Sequence, residues 1–309
     1  MANKLELKKG SYLRQSWMLY LMLALPMIFF FLFRYVPMTN IVIGFKDYNI
    51  FQGVWSKGSP WVGFKWFQQA FATKDFLNAL RNTIVLNLLD LIVGFPAPII
   101  LALLLNELVS TTYKKLTQTI IYLPHFLSWI IVSSIASKLL APTTGVVNIF
   151  LVENFGIGPI DFLMDKTKWI FTYIFFGVWK EMGWGTIIYL AAITSINPEL
   201  YEAAEVDGAG RWRQLWHITL PGLKPTIVVL LIMNIGRILG IELDRPYTMM
   251  NNIVQDVADV LSTLVYRLGI RSFQFSLTSA IGLFQSVVCV IFLVGANTLA
   301  KKMGERGIW

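Results

Sequence analysis

The stretch Glu202-Ala203-Ala204-Glu205-Val206-Asp207-Gly208-Ala209-Gly210, running on to Leu220-Pro221, separates two long apolar runs. It lies in a connection, 197–222, of about 26 residues, whereas compact proteins commonly join elements with roughly 4–6. A connection of that length needs structure of its own. Asn197 can accept a bond from an orphan amide and Pro198 suits a first helical turn, so the pattern predicts a short helix over 198–206. Gly208 and Gly210 are expected to supply the backbone angles that end this helix and turn the chain. From 211 to 220, Trp212, Leu215, Trp216 and Leu220 recur at helical spacing while Arg211, Arg213 and Gln214 lie mostly elsewhere. That spacing predicts a second, amphipathic helix.

The rest of the chain is hydrophobic. Of its 309 residues, 56% are hydrophobic and 14% charged, with a mean hydropathy of +0.61. Such a balance excludes an ordinary soluble domain. A spanning helix needs about 20 largely apolar residues. Runs at 17–36, 80–105, 117–139, 169–196, 223–241 and 277–299 predict an all-α integral membrane fold with six transmembrane helices. Six spans place both ends on one side. Lys4, Lys8, Lys9 and Arg14 precede the first run, Lys114 and Lys115 follow the second, Arg211, Arg213 and Lys224 flank the fourth connection, and Lys301, Lys302 and Arg306 close the chain. Basic residues are denser there than in the opposite loops, so these segments and both termini are expected to be cytoplasmic. The first run lacks a small-residue cleavage site and reads as an uncleaved helix. No repeat or low-complexity linker appears. The expected division is a cytoplasmic segment 1–16, one membrane domain 17–300 containing the loop 197–222, and a cytoplasmic tail 301–309.

Glu202-Ala203-Ala204, Asp207-Gly208-Ala209, Ile218, Leu220-Pro221 and Pro225 together resemble the EAA signature of binding-protein-dependent ATP-binding-cassette importer permeases. The likeness implies a type I importer permease in the bacterial cytoplasmic (inner) membrane, with 197–222 forming a cytoplasmic coupling-helix loop. Glu202, Ala203, Ala204, Asp207, Gly208, Ala209 and Arg211 would then contact a separate ATPase subunit. A membrane-surface hairpin anchored by Trp212 and Trp216 is the bland alternative, which leaves the small acidic first helix unexplained. Further stretches are similar to the branch that imports oligosaccharides released from complex polysaccharides: Phe45-Lys46-Asp47-Tyr48, the 184–192 region, Tyr266-Arg267, Phe275-Ser276 and Ala280-Ile281-Gly282-Leu283-Phe284. This resemblance implies a related sister permease, two ATPases carrying ATP and Mg, and an extracytoplasmic sugar-binding protein. It implies no cofactor in this chain.

Ionisable groups within a span cost about 2.5–3.5 kcal/mol at mid-helix, so they normally face a partner helix or a wet path. Asp90, Lys180, Glu181 and Arg237 fit that description. Lys180 and Glu181 point about 100° apart on a helix, which argues against a mutual salt bridge. Lys180, Glu181 and Trp184, with Asn234 and Arg237 three residues apart on the fifth span, are the substrate-path candidates. A sugar offers hydroxyls to polar groups and an apolar face to aromatics. The competing reading makes the same residues packing or sister-permease contacts. Pro96 and Pro98 are expected to interrupt the second span and free carbonyls for neighbouring helices or a cavity.

Outside the spans, the aromatic-rich segment 34–75 reads either as an interfacial belt or as a landing surface for a binding protein. The segment 141–168 shows little regular pattern and reads as a cap or contact loop. Val254, Val257, Ala258, Val260, Leu261, Leu264 and Val265 predict a short amphipathic helix with Asp256 and Asp259 on other faces.

No G-x-x-x-x-G-K-[ST] phosphate loop is present, so the chain is not expected to hydrolyse ATP. His125 and His217, the two histidines, form no HExxH motif, no nucleophile elbow appears, and Cys289 is the single cysteine. No metal site or catalytic residue is expected. The net charge of +8 is dispersed among the loops, which suits anionic lipid rather than nucleic acid. The rival functions are an integral-membrane enzyme acting on lipid-linked sugars and an ion-coupled secondary transporter.

Overall fold

The computed structural model describes residues 16–305 and 307–309. Lys4, Lys8, Lys9, Gly10 and Arg14 of the basic N-terminal segment, and Arg306, lie outside the described residues. The described residues are mostly helical. Their only β pairing is an isolated antiparallel bridge between Lys46 and Trp61.

Most of the apolar runs become helices. In chain order the first helices are α1 (Trp17–Phe45), the short α2 (Lys65–Ala72) and α3 (Lys74–Asn106). The pair α4 (Thr111–Phe126) and α5 (Trp129–Leu139) follows, then α6 (Val146–Phe155) and α7 (Lys166–Thr194). The 197–222 connection holds α8 (Glu199–Val206) and the start of α9 (Arg211–Ile235). Short helices α10 (Asp244–Met249), α11 (Gln255–Ala258) and α12 (Leu261–Val265) lead to α13 (Phe275–Lys302). By length and composition, α1, α3, α9 and α13 can cross a membrane, making 4 spans, or 5 if α4 and α5 count as one bent span.

Proline explains much of the local geometry. Wide i→i+5 turns occupy Phe31–Tyr35, Asp90–Gly94 and Leu215–Thr219, and Pro37, Pro96 and Pro221 follow each at the second residue. A proline ring clashes with the carbonyl four residues back and offers no amide to it; a widened turn accommodates both defects without ending the helix. The expected interruption of the second span at Pro96 and Pro98 is therefore a bulge inside a continuous helix. The carbonyl of Pro98 is met from α7 by the hydroxyl of Thr186 at 3.3 Å.

The third apolar run is not one straight helix. Leu123-Pro124-His125-Phe126 tightens, Leu127 turns extended, and Ser128 caps a new helix by accepting the Ile131 amide. The two halves meet at 102°. The 141–168 segment, expected to be irregular, contains the helix α6. The helix expected near 254–265 is broken between α11 and α12 because Asp259 and Val260 turn extended. Asp259, expected off the apolar face, is buried with Arg267 Nη2 at 2.7 Å and Thr263 Oγ1 at 2.6 Å.

α7 is the central column. Over 29 residues it spans about 43 Å at 1.5 Å per residue. Its first half supplies Trp169, Tyr173 and Phe176 to a core with Leu86, Trp129, Val132, Val254 and Val260. Its second half supplies Tyr189, Leu190 and Ile193 to a core with Ala102, Leu105 and Leu223. A third core joins Phe76 and Ala79 of α3 to Leu239, Leu261, Leu264, Leu277 and Ile281; Cys289 packs at its edge. α7 starts at Asp165, whose carboxylate accepts the Lys168 amide at 2.9 Å. That bond, followed by nearby positive charge, holds the Asp165 carboxyl below its ordinary range. The cap is therefore complete at neutral pH and is lost as pH falls through the lowered folded-state value.

The crossing of α4 and α7 depends on Gly183. A Cβ there would lie 2.0 Å from the carbonyl oxygen of Ile121. Because that oxygen belongs to the backbone, it cannot swing aside. Gly183→Ala should push the helices apart and cost about 1–3 kcal/mol, read as a lower melting temperature of the detergent-purified assembly.

Candidate functional site

Two regions at different places along α7 gather the residues singled out from sequence. The first is a cavity of about 410 Å³ between α3, α7, α9 and α10, a size within the roughly 300–1,000 Å³ of ordinary small-ligand sites. Four of the five path candidates line it: Glu181, Trp184, Asn234 and Arg237. Asp90 and Arg245 line it as well. Lys180 does not. Its side chain is only 7% exposed and sits behind the wall.

The polar groups of the cavity are mostly matched. Arg245 meets Asp90 with both ends of its guanidinium, Nη1 to Oδ2 at 2.6 Å and Nη2 to Oδ1 at 3.1 Å. It also donates to the Tyr173 carbonyl at 2.6 Å and lies 3.7 Å from the Tyr173 ring centroid. Contrary to expectation, Lys180 and Glu181 pair directly at 2.8 Å. The helical angle between their Cβ atoms does not decide the matter, because both long side chains bend toward His125. Lys180 Nζ donates to the His125 carbonyl at 3.0 Å, and His125 Nδ1 lies 2.8 Å from Glu181 Oε2. The imidazole stacks on Trp184, with centroids 4.5 Å apart and planes within 4°. Arg237 has no carboxylate within salt-bridge distance among the described residues. Asn234 bonds back to the Leu230 carbonyl at 2.8 Å.

Two contributors were missed in the sequence. Arg245 lies between the fifth and sixth expected spans, and its one signal was the uncompensated Asp90, 155 residues away. His125 was not among the path candidates. Its signal was Pro124, which bends the chain and turns the ring into the bundle.

The second region is the 197–222 connection at the other end of α7. Asn197 Oδ1 accepts the Glu199 amide at 3.1 Å, and Pro198 stands just before α8. At the far end the Ala209 amide reaches back to the Ala204 carbonyl at 2.8 Å, with Gly208 at φ +73°. This is a left-handed helix stop of the kind glycine permits. Gly210, by contrast, has φ −68°, an ordinary value for any residue. The expected second helix is no separate element: Arg211 opens α9, which continues through Pro221 into the apolar run.

Tyr201 Oη and Thr219 Oγ1 lie 3.0 Å apart, the Gln214 amide donates to the Ala209 carbonyl at 3.0 Å, and Arg211 approaches Glu107 at 3.7 Å. These contacts tie the turn to α9 and to the end of α3. Glu202, Ala203, Asp207, Gly208 and Arg211 are exposed, whereas Ala204 and Ala209 are partly buried. Val206, at the tip, is 89% exposed.

Residues 94–304 match the family described as binding-protein-dependent transport system inner membrane component. The chain belongs to this permease family. The match includes α7, the 197–222 turn and most of the cavity wall. The permease is 46% identical over 296 residues to protein LplB of Bacillus subtilis, covering 96% of this chain and 92% of that one. It is 48% identical over 291 residues to the polygalacturonan/rhamnogalacturonan transport system permease protein YteP of the same organism, covering 94% and 90%.

Among solved structures, it is similar to a chain of a bacterial alginate ABC transporter in complex with alginate pentasaccharide-bound periplasmic protein. The TM-score is 0.87 at 39% identity, covering 97% of this chain and 99% of that one. A second structure is described as an ABC transporter involved in import of the acidic polysaccharide alginate, again at TM-score 0.87. The fold is thus that of a type I ABC importer permease. The permease is a non-catalytic transport component of the inner membrane, and neither the lipid-linked-sugar enzyme nor the ion-coupled transporter is favoured.

Proposed function

We propose that the permease forms one half of the translocation pathway of an ATP-driven oligosaccharide importer, and that the 197–222 turn couples it to a separate ATPase. In this reading α7 completes a set of six spans with α1, α3, the bent α4–α5 pair, α9 and α13. Its Lys180 and Glu181, costly as isolated charges, are matched by each other and by His125, so α7 can cross inside a bundle despite its modest hydropathy. Both termini and the turn then face the cytoplasm. The membrane domain runs over 17–300, between a segment at 1–16 and a tail at 301–309.

The observation that carries the coupling role is the tip of the turn. An apolar side chain, Val206, is almost fully exposed on a short helix that is itself fastened at Tyr201, Ala209 and Arg211. One exposed valine is ordinary by itself; held on a fastened helix among the EAA-like residues, it offers a partner a fixed apolar contact. Glu202, Ala203, Ala204, Asp207, Gly208, Ala209 and Arg211 make up that docking surface. Two ATPases, which hold the ATP and Mg, a related sister permease and an extracytoplasmic sugar-binding protein complete the assembly. The cavity bounded by Glu181, Trp184, Asn234 and Arg237 is this subunit's share of the path, with Lys180 bracing Glu181 from behind. The sugar-related names of the similar proteins support an oligosaccharide as cargo.

The deciding experiment is reconstitution of the permease with its sister, ATPases and sugar-binding protein. The cargo sugar should stimulate ATP hydrolysis. Hydrolysis that ignores sugar across the candidate oligosaccharides would refute the reading.

A further inference from the structure

At the end of α7 remote from the 197–222 turn lies a second concavity, about 200 Å³, formed by α10, the start of α11 and the wide turn Tyr266–Arg271 that follows α12. An exposed ion pair links Lys166, at the first turn of α7, to Asp256 of α11 beside it. α10 separates it from the inner cavity. Arg245 of that helix points to the inner cavity and Tyr247, two residues on, lines the outer one.

The lining has three parts. Tyr247 and Tyr266 meet edge to face with centroids 5.2 Å apart. Arg271 lies over both rings, 5.8 and 5.5 Å from their centroids, and Nη2 donates to the Tyr247 hydroxyl. The amides of Asn252 and Gln255 border the space and make no side-chain hydrogen bond among the described residues. Of the two arginines present, Arg267 is consumed by Asp259 at 2.7 Å. Arg271 has no carboxylate partner among the described residues.

Arg271 is solvent-exposed, but its bond to the Tyr247 hydroxyl and its place beside two rings restrict the guanidinium, and its remaining N–H groups match the two oxygens of a carboxylate. Unpaired amides beside it suit hydroxyls, and tyrosine rings suit the apolar face of a pyranose. A neutral sugar would leave the guanidinium to water.

We propose that this concavity is an outer subsite for a uronate residue of the incoming oligosaccharide, with Arg271 receiving its carboxylate. The inference rests on the oligosaccharide-import reading above and narrows the cargo to an acidic chain. The subsite holds a uronate immediately outside α10, which closes the inner cavity through Arg245. Within that cavity Arg237 is the arginine without a carboxylate partner among the described residues.

The test uses the complete reconstituted transporter with trigalacturonate and its neutral methyl ester, each saturating the sugar-binding protein so that the rate reports steps within the membrane subunits. R271Q should lower uptake of the acid about tenfold relative to the ester, and R271K should restore part of the preference. Assembly is checked on the same preparations. An unchanged acid-to-ester ratio in R271Q, an equal fall for both sugars, or a wild-type transporter that carries the ester alone would each overturn the inference while leaving sugar import intact. Failure of the unmodified assembly to hydrolyse ATP in response to sugar would overturn the underlying reading and this subsite with it.

Discussion

Gly208→Val should abolish the response of ATP hydrolysis to sugar, by at least tenfold, while the permease still assembles in the membrane. The physical reason is local. Gly208 occupies φ +73° at the end of α8, a conformation that costs an L-residue about 1–2 kcal/mol and a β-branched one more. No neighbouring atom lies within 4 Å of the place a Cβ would take. The penalty is therefore one of backbone strain and not of packing. The chain relieves strain by unwinding the stop, which breaks the bond from Ala209 to Ala204 and swings α8 relative to α9. Gly208→Asn supplies the control, since asparagine tolerates the left-handed region and should retain most of the coupling. Equal losses in the two variants would point to steric contact with a partner and not to the turn.

The second large effect concerns the inner cavity. Arg245→Met should destabilise the permease by about 3 kcal/mol, at the low end of the range for breaking a buried pair because Asp90 keeps 28% exposure. The substitution strands the Asp90 carboxylate inside α3, removes a donor from the Tyr173 carbonyl and takes the cation off the Tyr173 ring. Adding Asp90→Asn should recover much of the loss, because the neutral amide needs no counter-charge. Thermal unfolding of the detergent-solubilised single and double variants measures the coupling. If the double variant is no more stable than Arg245→Met alone, the ion pair is not the source of the effect.

The uneven legibility of the sequence follows from the range of the forces involved. α1, α3, α9 and α13 were readable because apolar continuity over about 20 residues is a local property. The end of α8 at Gly208 was readable for the same reason: a left-handed stop leaves a local glycine signature. Gly210 misled because a glycine can also occupy an ordinary backbone region, as it does there with φ −68°. The second loop helix merged into α9 because the widened turn at Leu215–Thr219 absorbs Pro221, an outcome that depends on how the ring is accommodated and not on the presence of proline.

The cavity was legible residue by residue but not as an arrangement. Glu181, Trp184, Asn234 and Arg237 carried their own signal as polar or aromatic groups within apolar runs. Their partners did not, because His125 stands 56 residues from Glu181 and Arg245 stands 155 from Asp90. Lys180 and Glu181 failed differently. Their helical angle was read correctly, yet side-chain reach and the common target at His125 outweighed it.

The central claim is that the tip of the 197–222 turn sits against the ATPase. It is tested most directly by Val206→Cys in a Cys289→Ala background, where the introduced thiol is the chain's only one. The assembled transporter is treated in native membranes with a short thiol-to-amine crosslinker. The account predicts a product with the combined mass of the permease and one ATPase subunit. A fully assembled, transport-active complex that forms no such product would contradict it.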